Sequence, residues 1–172
     1  MLLYLVLFPL VLLLLLGTFF IVKQQTAAII ERFGKFTSVR QSGLHIKIPV
    51  IDRVSGRVSL KIQQLDVVVE TKTKDDVFVK LKVSVQFKVI KDKVYDAFYK
   101  LDFPQEQMNA YVFDVVRAEV PKMILDDVFE KKDDIAIAVK GELNEAMKNY
   151  GFDIIKTLVT DIDPDAQVKE SM

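Results

Sequence analysis

The sequence predicts an α+β fold behind an apolar N-terminal helix, and three observations carry that prediction. Residues 1–22 contain no charged side chain. Residues 77–89 alternate apolar and polar side chains without a break. After residue 90 the apolar positions switch to helical spacing. Antiparallel strands followed by clustered helices are the α+β pattern.

The opening run predicts a membrane anchor over residues 1–22. Ten of the first sixteen residues are Leu. At about 1.5 Å per residue the run makes a helix of roughly 33 Å, close to the roughly 30 Å hydrocarbon core of a bilayer. Two other readings compete with it. A buried core helix is rarely so long and uniformly apolar. A cleaved signal peptide needs a basic start and a small-residue cleavage site, whereas no Lys or Arg precedes the run and Gly17-Thr18-Phe19-Phe20 fits such a site poorly. Pro9 lies near the middle of the run, and a proline kinks a helix, so the segment either spans the bilayer or bends and re-enters the same leaflet. Lys23, Arg32, Lys35 and Arg40 follow on the C-terminal side only. The positive-inside bias then places the rest of the chain in the cytoplasm, at the cell membrane.

Residues 23–90 read as a β-rich subdomain. The stretch "AAIIERFGKF" predicts two short strands with Gly34 at a positive-φ turn. Ser42-Gly43 is a second turn. Leu44, Ile46 and Ile48 then alternate with His45 and Lys47 as a strand that Pro49 stops. Val54, Val58, Leu60 and Ile62 suggest more strand, interrupted at Gly56. Leu65–Glu70 forms one arm of a hairpin, with its turn at Lys74-Asp75-Asp76. The other arm sets Val77, Val79, Leu81, Val83, Val85, Phe87 and Val89 on one face. Strict period 2 over this length marks a long antiparallel strand with one buried and one wet face.

Residues 91–163 read as an α/β subdomain. Val94, Ala97, Phe98 and Leu101 outline a short helix. A second helix starts near Pro104 and is disturbed at Pro121. A third carries Ile135, Val139, Leu143, Ala146, Met147 and Tyr150, capped by Asp133 or Asp134 and closed by Gly151. "FDIIKTLVTDI" returns to strand. Asp163-Pro164 has the form of an N-cap and first helical residue, so residues 164–172 are expected to begin a further helix.

Composition excludes several chemistries. Lys and Arg number 24, as do Asp and Glu. No basic stripe stands out from this neutral total, which argues against nucleic acid as a partner. There is no Cys, and the one His, His45, sits on a strand. Disulfides, thiolate metal sites and an ordinary zinc site are therefore not expected. No Gly-rich phosphate loop or nucleophile elbow occurs. Asp161, Asp163 and Asp165 mimic the start of a calcium loop, but Ala166 replaces its glycine and Met172 its bidentate glutamate. The acidic pairs Asp126-Asp127 and Asp133-Asp134 read as helix caps and solvated turns. No catalytic, cofactor-binding or metal-binding residue is assigned, no cofactor is expected, and the chain is read as not an enzyme.

Three stretches resemble the SPFH or band 7 superfamily of stomatins, prohibitins and flotillins. "IIERFGKF" resembles its opening strand and turn, and "SGLHIKIPVIDRV" its P-G-L-H-F-x-x-P-x-x-D-x-V segment. "VVRAEVPKMILDDVFEKKDDI" with "GFDIIKTLVTDIDP" resembles its later helix pair and closing strand. Two departures occur. Gln25 stands near a common glycine, and Ser42 replaces the proline of a Pro-Gly turn. The resemblance implies a membrane-anchored scaffold that self-associates on the bilayer into large homo-oligomeric rings or cages. It further implies a coiled-coil helix after the domain, a role in membrane microdomains, and a membrane AAA protease as partner. The short anchor looks most like the bacterial stomatin-like branch. A monomeric membrane-tethered binding module is the alternative, and a secreted domain after signal cleavage is a third.

Overall fold

A computed structural model of the chain describes residues 17–164. The chain divides into two compact units between Lys61 and Ile62. The sequence reading sets the boundary at residue 90. The structure groups the long 63–89 hairpin with the helices instead, because those helices cover its apolar face.

In the first unit, β1 (Phe19–Val22) pairs antiparallel with β4 (Gly43–Ile46). The expected anchor helix therefore does not extend to residue 22. Gly17 and Thr18 are helical, and the chain is extended from Phe19. Phe-Phe-Ile-Val is aromatic and β-branched, which suits a strand once a pairing partner exists. The rest of the anchor assignment, residues 1–16, lies outside the described residues. Among the described residues no helix is long and apolar enough to cross a membrane.

β2 (Thr26–Arg32) is the centre of a three-stranded sheet, between β3 (Lys35–Arg40) and β5 (Asp52–Ser59). Ala27, Ala28, Ile29 and Ile30 are buried on both faces of this central strand. The β2–β3 connection is two residues, Phe33 and Gly34, with φ of 51° and 78°. Two successive positive φ values make the tight hairpin turn whose twist matches its strands. A Cβ at Gly34 would meet nothing within 4 Å. Its replacement by Val is thus a backbone effect alone, expected to cost about 1–2 kcal/mol. A chemical-denaturation midpoint unchanged in Gly34→Val would contradict the turn. Gly56 does not interrupt its strand. It lies opposite Ile29 in β5, where the register shifts by one residue, a place for which a glycine is suited.

The second unit is a sheet in the order β6 (Gln63–Lys72), β7 (Phe78–Val89), β8 (Phe152–Pro164). Helices α1 (Val94–Tyr99), α2 (Pro104–Glu119), α3 (Leu125–Glu130) and α4 (Lys132–Lys148) lie between β7 and β8 in sequence. The alternation of β7 is realised as two unlike faces. Val79, Leu81, Val83, Val85, Phe87 and Val89 are buried, with α4 over β8 and α2 over β6. Met108, Val112, Val116, Ile135, Val139, Leu143 and Met147 complete this core. The wet face is laced by cross-strand ion pairs, Lys80–Glu70 at 2.8 Å, Lys82–Asp66 at 3.3 Å and Lys88–Asp153 at 3.8 Å.

Several local expectations change. Asp133 and Asp134 lie inside the first turn of α4, which has no side-chain cap. Asp126 and Asp127 occupy the same place in α3, whose existence as a separate helix the sequence reading missed. The Leu125 amide at that helix start is satisfied from afar, by Asp75 Oδ1 at 3.1 Å. Asp163 and Pro164 do not open a helix. They continue β8, opposite Lys80 and Val79. β8 is an edge strand, where a missing N–H is tolerated. Asp161 and Asp163 are thus strand residues facing lysines of β7 rather than part of a calcium loop. Residues 165–172 lie outside the described residues.

Candidate functional site

The first unit carries an apolar outer surface. In β1 and β4 the register pairs Phe19 with Ile46 and Ile21 with Leu44. Directly opposed residues share a face, so these four side chains form one patch. Ile21 is 68% exposed, Leu44 65% and Ile46 66%. Alternating apolar residues ordinarily mark the buried half of a strand. Here the apolar half points outward. The other half holds buried Val22 and the tilted ring pair Phe20 and His45, with ring centroids 5.6 Å apart. His45 Nε2 lies 2.6 Å from the Gln41 carbonyl.

Two loop tips extend the surface. Phe33 in the β2–β3 turn is 83% exposed, and Val50 between β4 and β5 is 93% exposed. They belong to the same end of the sheet, because Arg32 is paired with Asp52 across β2 and β5. The chain enters at that end too. The Lys47 amide donates to the Thr18 carbonyl at 2.8 Å, and a Cβ on Gly17 would stand 3.5 Å from that of Pro49. Gly17, the first described residue, therefore lies beside the loop that carries Val50.

Asp52 holds this loop. Its Oδ1 accepts from Arg32 Nε at 2.8 Å and its Oδ2 from Arg32 Nη2 at 3.3 Å. Oδ2 also accepts from the Ile48 amide at 2.9 Å, while the Asp52 amide donates to the Ile48 carbonyl at 2.8 Å. Val50 sits inside this closed loop with φ of 70°. That region is unusual for a β-branched residue, and such strain persists where surrounding contacts fix it. The clasp thus displays an apolar side chain that the backbone alone would not hold there.

The Arg32 guanidinium, then the Ile48 amide, keep the Asp52 carboxyl below its ordinary value. A depressed folded-state pKa contributes stability above the ordinary carboxylate range, lost as pH falls through the folded value. Asp52→Asn is therefore expected to melt earlier than the parent protein near neutral pH. The gap should close on acidification below that range. Thermal melts across a pH series check this, and a gap independent of pH would contradict it.

Among the described residues of the second unit, a groove of about 590 Å³ is lined by Asp102, Phe103, Glu106, Tyr111 and Asp114 among others. Its carboxylates lie beside no histidine or nucleophile. No group of acidic or histidine side chains able to hold a metal occurs among the described residues. No reactive residue is expected from the sequence, and the apolar surface is not evident in it. The signal was present in Leu44, Ile46 and Ile48, but alternation does not say which half faces solvent.

A small β unit with an apolar outer surface, followed by an α+β unit, is the class of domain defined here. The chain belongs to the SPFH domain / Band 7 family, whose model matches residues 20–172. Hypersensitive-induced response protein 4 of Arabidopsis thaliana is 45% identical over 152 residues, 88% of this chain and 52% of that protein. Stomatin-like protein 2, mitochondrial, of Homo sapiens is 29% identical over 88% of this chain and 42% of that protein. Stomatin-like protein stl-1 of Caenorhabditis elegans is 26% identical, covering 88% and 46%. The chain spans about half the length of these relatives. They come from a plant and animals, and do not bear on the bacterial branch.

Proposed function

We propose that this chain is the membrane-proximal part of a self-associating scaffold. Its family is one of generally membrane-associated proteins that self-associate. The observation that carries the reading is the apolar surface of the first unit. Phe19, Ile21, Leu44, Ile46, Phe33 and Val50 are exposed on it, and Gly17, which follows the uncharged run in sequence, lies beside the Val50 loop. Exposed apolar patches of this kind mark membrane or protein contacts. The anchor of residues 1–16 and the outward face of β1 and β4 then act together, the first inserted and the second seated at the interface.

The finer parts of the proposal have separate support. Assembly into rings or cages follows the family, and a heterologous contact repeated around an axis closes a ring. Confinement to a bilayer raises the effective concentration of neighbours, so each contact can be weak. Placement on the cytoplasmic side of the cell membrane rests on the Lys and Arg residues that follow the apolar run. A coiled coil beyond residue 164, microdomain organisation and restriction of a membrane AAA protease rest on the family resemblance. No catalytic role is proposed.

Sedimentation of the protein extracted in mild detergent tests the assembly. A large complex is expected. A monomer would contradict the scaffold and favour a tethered binding module.

A further inference from the structure

The neutral total charge conceals a division. Residues 17–61 hold eight Lys and Arg against Glu31 and Asp52, a formal +6. Residues 62–172 hold 16 against 22, a formal −6. Part of the positive charge is gathered at the apolar tips. Arg32 and Lys35 flank the Phe33 turn, and Lys47 and Arg53 flank the Val50 loop. Lys35 and Arg53 are exposed. Of the two acids in residues 17–61, Asp52 is occupied by Arg32 and the Ile48 amide, and Glu31 lies opposite Arg53 in the β2–β5 register.

We propose that the tips of the first unit recognise the headgroups of anionic phospholipids, with Phe33 and Val50 entering the interface and Lys35, Lys47 and Arg53 contacting lipid phosphates and carboxylates. The inference rests on the membrane-facing reading above and adds the lipid class. Apolar side chains ringed by cations are the arrangement that seats a surface in an anionic leaflet. A basic patch alone would equally suit nucleic acid. Exposed Phe33 and Val50 at its centre favour a bilayer, because an apolar tip gains nothing against phosphates in water. Each cation near an anionic surface contributes roughly fivefold to partitioning, so three together contribute roughly a hundredfold.

The chain has no cysteine, so one label can be placed cleanly. The full chain carrying Val50→Cys with an environment-sensitive fluorophore is reconstituted in two kinds of vesicle. One is phosphatidylcholine alone, and in the other phosphatidylserine replaces about a third of it, enough to set a negative surface potential. A label at Ser59, at the opposite end of the β2–β5 pair, is the reference. A blue shift at position 50 that is larger in the anionic vesicles is expected. It should be lost in Lys35→Glu/Lys47→Glu/Arg53→Glu. High salt on the charge-intact protein should abolish it too, which removes misfolding of the triple variant as an explanation. An equal blue shift in both vesicles, unaffected by salt, would overturn the anionic preference and leave the membrane-facing reading intact. Water-like emission at position 50 in both would overturn that reading, and this proposal with it. A shift caused by an RNA oligonucleotide and not by anionic vesicles would replace lipid by nucleic acid.

Discussion

Gly151→Ala is expected to destabilise the second unit by about 2–5 kcal/mol, from the sum of two effects. Gly151 lies just past α4 with φ of 86°, a conformation that costs an L residue about 1–2 kcal/mol. Its added Cβ would also stand 2.5 Å from the Lys93 carbonyl oxygen, 3.0 Å from Lys93 Cβ and 3.3 Å from the Ala97 nitrogen. Neither side can retreat freely. The Ile90 amide donates to the Gly151 carbonyl at 2.8 Å, and the Lys93 amide to the Ile90 carbonyl at 2.9 Å. Overpacking against fixed backbone adds about 1–3 kcal/mol. Domains have only about 5–15 kcal/mol in all, so much of the folded population is at risk. Denaturant titration measures the loss, and a midpoint within error of the parent would show that this junction is looser than its geometry.

Phe87→Ala is the second large effect, expected to cost about 3–5 kcal/mol. Phe87 is 2% exposed in the middle of the core face of β7. Its ring meets that of Phe152 edge to face, with centroids 6.2 Å apart. Truncation removes apolar burial and leaves a cavity that a central strand, hydrogen-bonded along both edges, cannot collapse around. Phe78 on the same strand gives the contrast. It is exposed, with Lys72 Nζ 5.6 Å from its ring centroid, and Phe78→Ala is expected to cost less than about 1 kcal/mol. Equal losses for the two would contradict the assignment of faces.

β7 was legible because a central strand with one covered and one charged face writes its geometry into every second residue. The stripe of α4 was legible for the same reason at helical spacing. Ile135, Val139, Leu143 and Met147 are buried as that spacing requires, although Tyr150 is exposed. What failed was local signal overruled by pairing. Phe19–Val22 continues an apolar run, and hydropathy does not reveal that residues 43–46 lie alongside it. Asp163-Pro164 has the chemistry of a helix start, yet β7 offers an edge on which Pro loses nothing. Asp75 shows the converse, since a turn residue 50 positions away satisfies the start of α3.

The candidate surface was hidden by two forms of averaging. Whole-chain neutrality masks opposite charges in the two units. Alternation in Leu44, Ile46 and Ile48 identifies a strand without identifying its wet side. Only the register of β1 on β4 gathers Phe19, Ile21, Leu44 and Ile46, and only the Arg32–Asp52 pairing brings the Phe33 and Val50 tips to one end.

That the outward face of β1 and β4 lies against a bilayer is the claim on which the functional account turns. Spin labels at Leu44→Cys, Ile46→Cys and Ser59→Cys of the full chain in liposomes test it by collision with oxygen and with a polar nickel chelate. Labels 44 and 46 are expected to collide preferentially with oxygen, which concentrates in the apolar phase, while label 59 favours the chelate. Labels 44 and 46 as accessible to the chelate as label 59 would contradict it.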